Sequence, residues 1–125
     1  MTANVDRLHA AARARIAPRA RPEDLEASVA AGVLVVDTRP AELRQRDGEL
    51  PGAVVVERNV LEWRLDPTSP YRLTDMVDAH RKVIVVCDEG YASSLAAAAL
   101  VELGLTDVTD LEGGFQAWRH ASGAS

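Results

Sequence analysis

Val83-Ile84-Val85-Val86-Cys87-Asp88-Glu89-Gly90-Tyr91-Ala92-Ser93-Ser94 reads as three elements in succession. Four consecutive β-branched residues without polar alternation fit a parallel strand covered on both faces. Asp88-Glu89-Gly90 ends that strand, and the alanine-rich stretch 92–103, stopped by Gly104, is helical by composition. Cys87, the only cysteine of the chain, therefore stands where a strand switches to a helix. Main-chain amides converge at such a switch, and the helix start adds partial positive charge. Both favour a thiolate. A lone cysteine after valines otherwise serves as a small core residue, but a glycine-containing loop and a helix behind it supply what an activated thiol needs.

Outward from this segment the alternation repeats. Val33-Leu34-Val35-Val36 is a second apolar run of strand length, closed by Asp37-Thr38-Arg39-Pro40, and Pro40 opens a short helix through Ala41, Glu42, Leu43 and Arg44. Pro22 opens a helix that runs to about Ala30 and stops at Gly32. The turn Leu50-Pro51-Gly52 leads into a strand over Ala53–Val56, Arg15–Ala17 reads as a short strand, and Val108–Leu111 as the last one. Gly113-Gly114 is a tight turn before a final helix carrying Phe115 and Trp118. Residues 57–71, with Trp63, Pro67 and Pro70, read as a long loop with one helical turn, and Leu73, Met76 and Val77 have helical spacing toward His80. In the helix over 92–103, Leu95, Ala99, Leu100 and Leu103 share one side. Strands alternating with helices imply an α/β fold, a mainly parallel sheet with helices on both faces, whose ligands gather at the carboxyl ends of the strands. Asp37, Glu57 and Cys87 all fall at that edge.

Composition sets the limits. With 125 residues and 47% hydrophobic content, the chain buries one core, so a single domain is expected over 15–121, preceded by a helical extension over 1–14 and followed by a disordered tail over 122–125. Val5, Leu8 and Ala12 give the extension an apolar stripe. A net charge of -5 and the absence of any lysine block argue against a nucleic-acid partner. Asp6, Arg7, Arg13 and Arg15 interrupt the N-terminal stretch, so neither a signal core nor a membrane span is expected. One cysteine makes no internal disulfide, and a cytoplasmic setting follows as the expectation. His9, His80 and His120 do not cluster with Cys87 in the sequence and read as surface residues, which speaks against a metal site and a cysteine-histidine hydrolase.

Four segments then acquire a common meaning: Val35-Val36-Asp37-Thr38-Arg39-Pro40, Glu49-Leu50-Pro51-Gly52-Ala53-Val54, Val85-Val86-Cys87-Asp88-Glu89-Gly90-Tyr91-Ala92-Ser93 and Leu111-Glu112-Gly113-Gly114-Phe115-Gln116-Ala117-Trp118. In their order and spacing the chain resembles the rhodanese-like, single-domain sulfurtransferases over roughly residues 15 to 120. The resemblance implies a five-stranded parallel sheet and a Cys87 that carries sulfur as a persulfide, drawn from a small-molecule or protein donor and passed to a thiol or cyanide, with no metal or organic cofactor.

Two positions depart from the family pattern: Ala92 stands where many members have an arginine, and Glu49 replaces a usual histidine. The loop keeps its backbone donors but loses a charged anchor and adds Asp88 and Glu89. If those carboxylates face solvent, screening leaves the amide cradle dominant; if either faces inward, the thiol is held protonated. Arg58 or Arg64 is expected to reach over the site and replace the missing charge. Gly90 is expected to turn its amide inward at positive φ. Ser93 either donates its hydroxyl to the sulfur or caps the helix, and Tyr91 either lines the entrance or wedges beside the loop. Asp37 and Arg39 either touch substrate or, as the preferred reading, tie down the loop. Trp63 is a candidate cap for the pocket and Trp118 a core residue. Three classes of function remain: an active sulfurtransferase, a rhodanese-like binding or regulatory module with weak catalysis, and, least supported for want of a loop arginine, a relative of the cysteine phosphatases or arsenate reductases.

Overall fold

Strands β1 (Leu34–Asp37) and β3 (Val83–Val86) form the centre of the fold, buried along their whole length as uninterrupted apolar runs require when both faces of a sheet are covered. The computed structural model describes residues 3–123. Flanking strands are β2 (Val54–Val55) and β4 (Val108–Asp110), in the order β2-β1-β3-β4 with every pair parallel. Val36 lies opposite Val54 on one side and Val85 on the other, and Val85 opposite Asp110, so the strands finish at one edge.

Alternate residues of these strands face opposite layers. Leu34, Val36, Val83, Val85 and Val108 pack with Ala12 and Ile16 of α1 (Asn4–Ile16), Leu61 and Leu65 of α4 (Leu61–Leu65), and Ala96, Ala97 and Leu100 of α5 (Ala92–Leu103). Val35, Ile84 and Val86 pack with Leu25 of α2 (Leu25–Ala30), with Leu50, and with Phe115 and Trp118 of α6 (Gly114–Ala121). Each fully buried Val, Leu or Ile among them contributes about 1.5–3 kcal/mol of burial free energy, and the alanines less. The remaining helix, α3 (Ala41–Asp47), follows Pro40 and buries none of its residues completely.

Among the described residues the sheet has four strands, where five were expected. Residues 15 and 16 complete α1, whose Ile16 is pulled into the core, and Pro18 has no N–H for a ladder. What survives of the fifth strand is a single parallel bridge between Ala20 and Leu111, with Ala20 N–H donating to Asp110 O and Glu112 N–H to Ala20 O, both at 2.9 Å. The helical spacing over 73–80 also fails to become a helix. Met76 is buried but its neighbour Val77 is exposed, and Asp78 Oδ1 accepts the His80 N–H at 2.7 Å, a local side-chain bond that competes with helix formation. In α5 the buried face runs through Ser93, Ser94, Ala96, Ala97, Ala98 and Leu100, while Leu103 is largely exposed. Covered by the sheet on one side and α1 on another, α5 buries its alanines because their small side chains allow both neighbours to approach. The helix expected from Pro22 begins as a 3₁₀ turn, Pro22–Asp24, before α2. Of the expected tail, residues 124 and 125 lie outside the described residues, whereas Ser122 N–H still donates to Trp118 O at 2.8 Å. Among the described residues no helix is long and apolar enough to cross a membrane.

Candidate active site

Cys87 leaves β3 at the carboxyl edge of the sheet and is 7% exposed. Its Sγ accepts two main-chain hydrogen bonds, from Gly90 N–H at 3.2 Å and from Ser93 N–H at 3.3 Å. The second donor is available because the first N–H groups of a helix have no partner within it, and Ser93 lies in the first turn of α5. The first depends on Gly90 having φ +85°, and a Cβ there would stand 2.6 Å from Gly113 N. Glycine at 90 thus meets two demands at once, an inward-turned amide and close backbone contact.

The loop is held from its far side by α6. Phe115 N–H donates to Cys87 O at 2.9 Å and Gln116 N–H to Asp88 O at 3.1 Å, so the free amides at the start of one helix anchor the loop that precedes another. Gly114 permits this approach, since a Cβ on it would lie 2.6 Å from Cys87 O. A third hold comes from Asp110, fully buried at the end of β4. Its Oδ2 accepts the hydroxyls of Ser93 and Ser94, each at 2.7 Å, and its Oδ1 accepts Arg19 Nε at 2.7 Å. The Ser93 hydroxyl is therefore committed to Asp110, and it is the Ser93 amide that reaches the sulfur. Asp110 and Arg19 were not among the residues singled out from sequence. The available signal was a carboxylate closing an apolar strand at the same sheet edge as Cys87.

An open cleft of about 340 Å3 lies over the thiol, lined by Thr38, Arg39, Pro40, Arg58, Cys87, Asp88, Glu89, Tyr91 and Ala92. Tyr91 stands exposed at its rim and Ala92 leaves its floor uncharged. Glu89 faces solvent, and the half-buried Asp88 accepts Gln116 Nε2 at 3.0 Å; no hydrogen bond joins either carboxylate to the sulfur. Arg58 lines the cleft and pairs with Glu62 at 2.8 Å. Arg64 does not reach it, donating instead to Tyr71 O at 2.7 Å, and Trp63 is solvent-exposed away from the lining. Asp37 and Arg39 form a buried pair, 2.9 Å from Oδ2 to Nη2, and Asp37 Oδ1 also accepts Arg39 N–H. The Arg39 guanidinium carbon lies 3.6 Å over the Phe115 ring, and among the described residues Nη1 has no hydrogen-bond partner, so the π face is what the guanidinium meets. Of the histidines, His9 belongs beside the loop after all, with Nε2 2.9 Å from Tyr91 O, while His80 contacts Thr106 and His120 is exposed. A larger groove of about 580 Å3 runs past Lys82 and Asp107, near the opposite ends of β3 and β4, and includes none of the loop.

The rhodanese-like domain family matches residues 21–121. This chain belongs to that family. The rhodanese-like protein is 34% identical over 101 residues to the thiosulfate sulfurtransferase GlpE of Pseudomonas savastanoi pv. phaseolicola, covering 81% of this chain and 86% of that one. It also resembles, at 33% identity and a TM-score of 0.84, a Rhodopseudomonas palustris protein of unknown function described as a possible tyrosine phosphatase, over 98% of this chain and 93% of that one. A human single-domain sulfurtransferase shares the fold at a TM-score of 0.70 and 22% identity, over 83% of this chain and 96% of that one.

Two outcomes test the account of the loop. In Gly90→Ala the added methyl opposes both the positive φ and the contact with Gly113, so alkylation of Cys87 by iodoacetamide at neutral pH should slow by roughly tenfold or more as the amide turns off the sulfur. An unchanged rate in a folded variant contradicts the cradle. Asp47, at the end of α3, accepts Gln116 Nε2 at 2.9 Å and thereby helps hold the side chain that takes Asp88. The Arg46 hydrogen bond, with help from Gln116 and Arg119, holds its carboxyl well below the ordinary value of 3.8 despite a smaller opposing effect of burial. A carboxylate depressed in the folded state adds stability above its unfolded value and loses it as pH falls through the folded one. Asp47→Asn should thus have a lower urea midpoint than the parent at neutral pH, with the gap closing progressively as the pH drops below 3.8.

Proposed function

We propose that this rhodanese-like protein is a sulfurtransferase whose Cys87 carries sulfane sulfur as a persulfide. The observation that supports the reading most directly is the pair of main-chain N–H groups on Sγ at the base of an open cleft. Those donors favour the thiolate and, after transfer, a negatively charged persulfide in the same place. The thiolate attacks the outer sulfur of thiosulfate; an S–S bond forms to Cys87 as the S–S bond of the donor breaks, and sulfite leaves with the electron pair. Cyanide or a thiolate then attacks the outer sulfur, leaves as thiocyanate or a persulfide, and regenerates the Cys87 thiolate. No electron donor or cofactor enters the balance.

Arg58 supplies the charge that the loop lacks at Ala92. It is exposed at the cleft and its Glu62 partner is a surface one, so the guanidinium is free to exchange that weak pair for a dianionic donor. Arg39, held by Asp37 and Phe115, is a structural cation. The acidic rim of Asp88 and Glu89 favours donors that approach from the Arg58 side. The sulfur donor is a small molecule such as thiosulfate or a protein persulfide, and the acceptor a thiol or cyanide.

Incubation with thiosulfate should add the mass of one sulfur atom to the intact protein, an adduct removed by cyanide and absent from Cys87→Ser. Arg58→Ala should raise the KM for thiosulfate by roughly three- to tenfold with a smaller change in kcat. If no sulfur adduct forms, the module with weak catalysis is the better reading; hydrolysis of p-nitrophenyl phosphate that depends on Cys87 would favour the phosphatase class instead.

A further inference from the structure

Helix α1 precedes the matched family region, 21–121, yet its side chains end on the cysteine loop. Arg13 Nη2 donates to Gly90 O at 3.0 Å and Nε to Ser94 Oγ at 3.2 Å, while the guanidinium carbon sits 5.6 Å over the Tyr91 ring. One turn earlier on the same face, His9 Nε2 lies 2.9 Å from Tyr91 O, as the donor because a carbonyl only accepts, and its ring is 5.7 Å from that of Tyr91. Arg19 adds a second donor to Gly90 O at 2.9 Å but is paired with Asp110. Arg13 takes part in no direct ion pair among the described residues.

Gly90 is the point where this matters. Its N–H faces the sulfur and its C=O faces Arg13, on either side of one Cα that lacks the steric restraint of a side chain. The N–H belongs to the peptide before that Cα and the C=O to the peptide after it, so guanidinium donors on the oxygen fix the second peptide and with it the Cα about which the first must turn; charge-assisted bonds of that kind are about twice as strong as neutral ones. We propose that Arg13 is a positioning residue for Cys87, acting through the Gly90 carbonyl from outside the family region; the proposal rests on Cys87 being the reactive thiol described above. The unpaired guanidinium also places positive charge behind a loop whose front carries Asp88 and Glu89.

The test compares Arg13→Gln and Arg13→Lys with Arg15→Gln, a solvent-exposed arginine of the same helix that makes no contact with the loop. The readouts are the rate of Cys87 alkylation by iodoacetamide, followed by intact mass, the urea midpoint, and kcat and KM for thiosulfate. Arg13→Gln should slow alkylation and lower kcat by roughly tenfold with KM within about twofold, Arg13→Lys should recover part of the loss, and Arg15→Gln should match the parent. A role confined to docking α1 predicts the opposite sign, because Cys87 is 7% exposed and loosening the helix would admit the reagent faster. Alkylation within twofold of the parent in both Arg13 variants, or faster, overturns the proposal; should Arg13→Gln not fold, Arg13→Lys alone decides, and a parental rate there overturns it. If alkylation slows as expected but no protein, parent included, accepts sulfur from thiosulfate, the positioning role stands and the sulfurtransferase reading falls.

Discussion

Two main-chain N–H groups on one sulfur atom are the interaction around which this molecule is arranged. A peptide loop has no intrinsic reason to aim the amides of Gly90 and Ser93 at Cys87 Sγ, and Gly90 on its own is the freest residue in the loop. The geometry is imposed from outside. α6 takes the carbonyls of Cys87 and Asp88, Asp110 takes the hydroxyls of Ser93 and Ser94, and Arg13 and Arg19 take the carbonyl of Gly90. With its outward-facing acceptors occupied, the loop keeps donors for the sulfur.

Charge around the loop follows the same division between front and back. Asp88 and Glu89 stand on the cleft side, one drawn toward Gln116 and one in solvent. Behind the loop, Asp110 is neutralised by Arg19, and Arg13 is left with neutral partners only among the hydrogen bonds described. A buried carboxylate such as Asp110 is tolerated because two hydroxyls and a guanidinium satisfy it together. The Asp37–Arg39 pair does the equivalent for the neighbouring strand end, with Phe115 covering the guanidinium face. A loop that carries no cation of its own thus coincides with cations delivered from α1, from the segment after it, and, at the cleft, from Arg58.

Where sequence reading succeeded, the signal was local and redundant. The β1 and β3 runs, the alanine-rich α5 ended by Gly104, and the strand-to-helix position of Cys87 each rest on several adjacent residues that agree. It failed where a competing contact won, in most cases one far away in the chain. Arg15–Ala17 has the composition of a short strand, but Ile16 finds more apolar surface as the end of α1. Leu73, Met76 and Val77 have helical spacing, yet Met76 and Leu73 meet the core while Val77 stays in solvent, and Asp78 takes the His80 N–H locally. Ser93 lies beside the sulfur through its amide, and its hydroxyl, expected either at the sulfur or as a helix cap, does neither because Asp110, seventeen positions on, claims it.

The chain's own order of residues was enough to determine an α/β sheet, the carboxyl edge of that sheet, and the one thiol on it, since these depend on hydrophobic runs, glycines and the direction of a parallel strand. Which groups hold the thiol's loop was decided only by tertiary structure. His9, Arg13 and Arg19 lie more than seventy positions from the atoms they contact, and nothing in their local sequence distinguishes them from other polar side chains of the surface. They become part of the site because α1 lies along α5 and brings them to the loop.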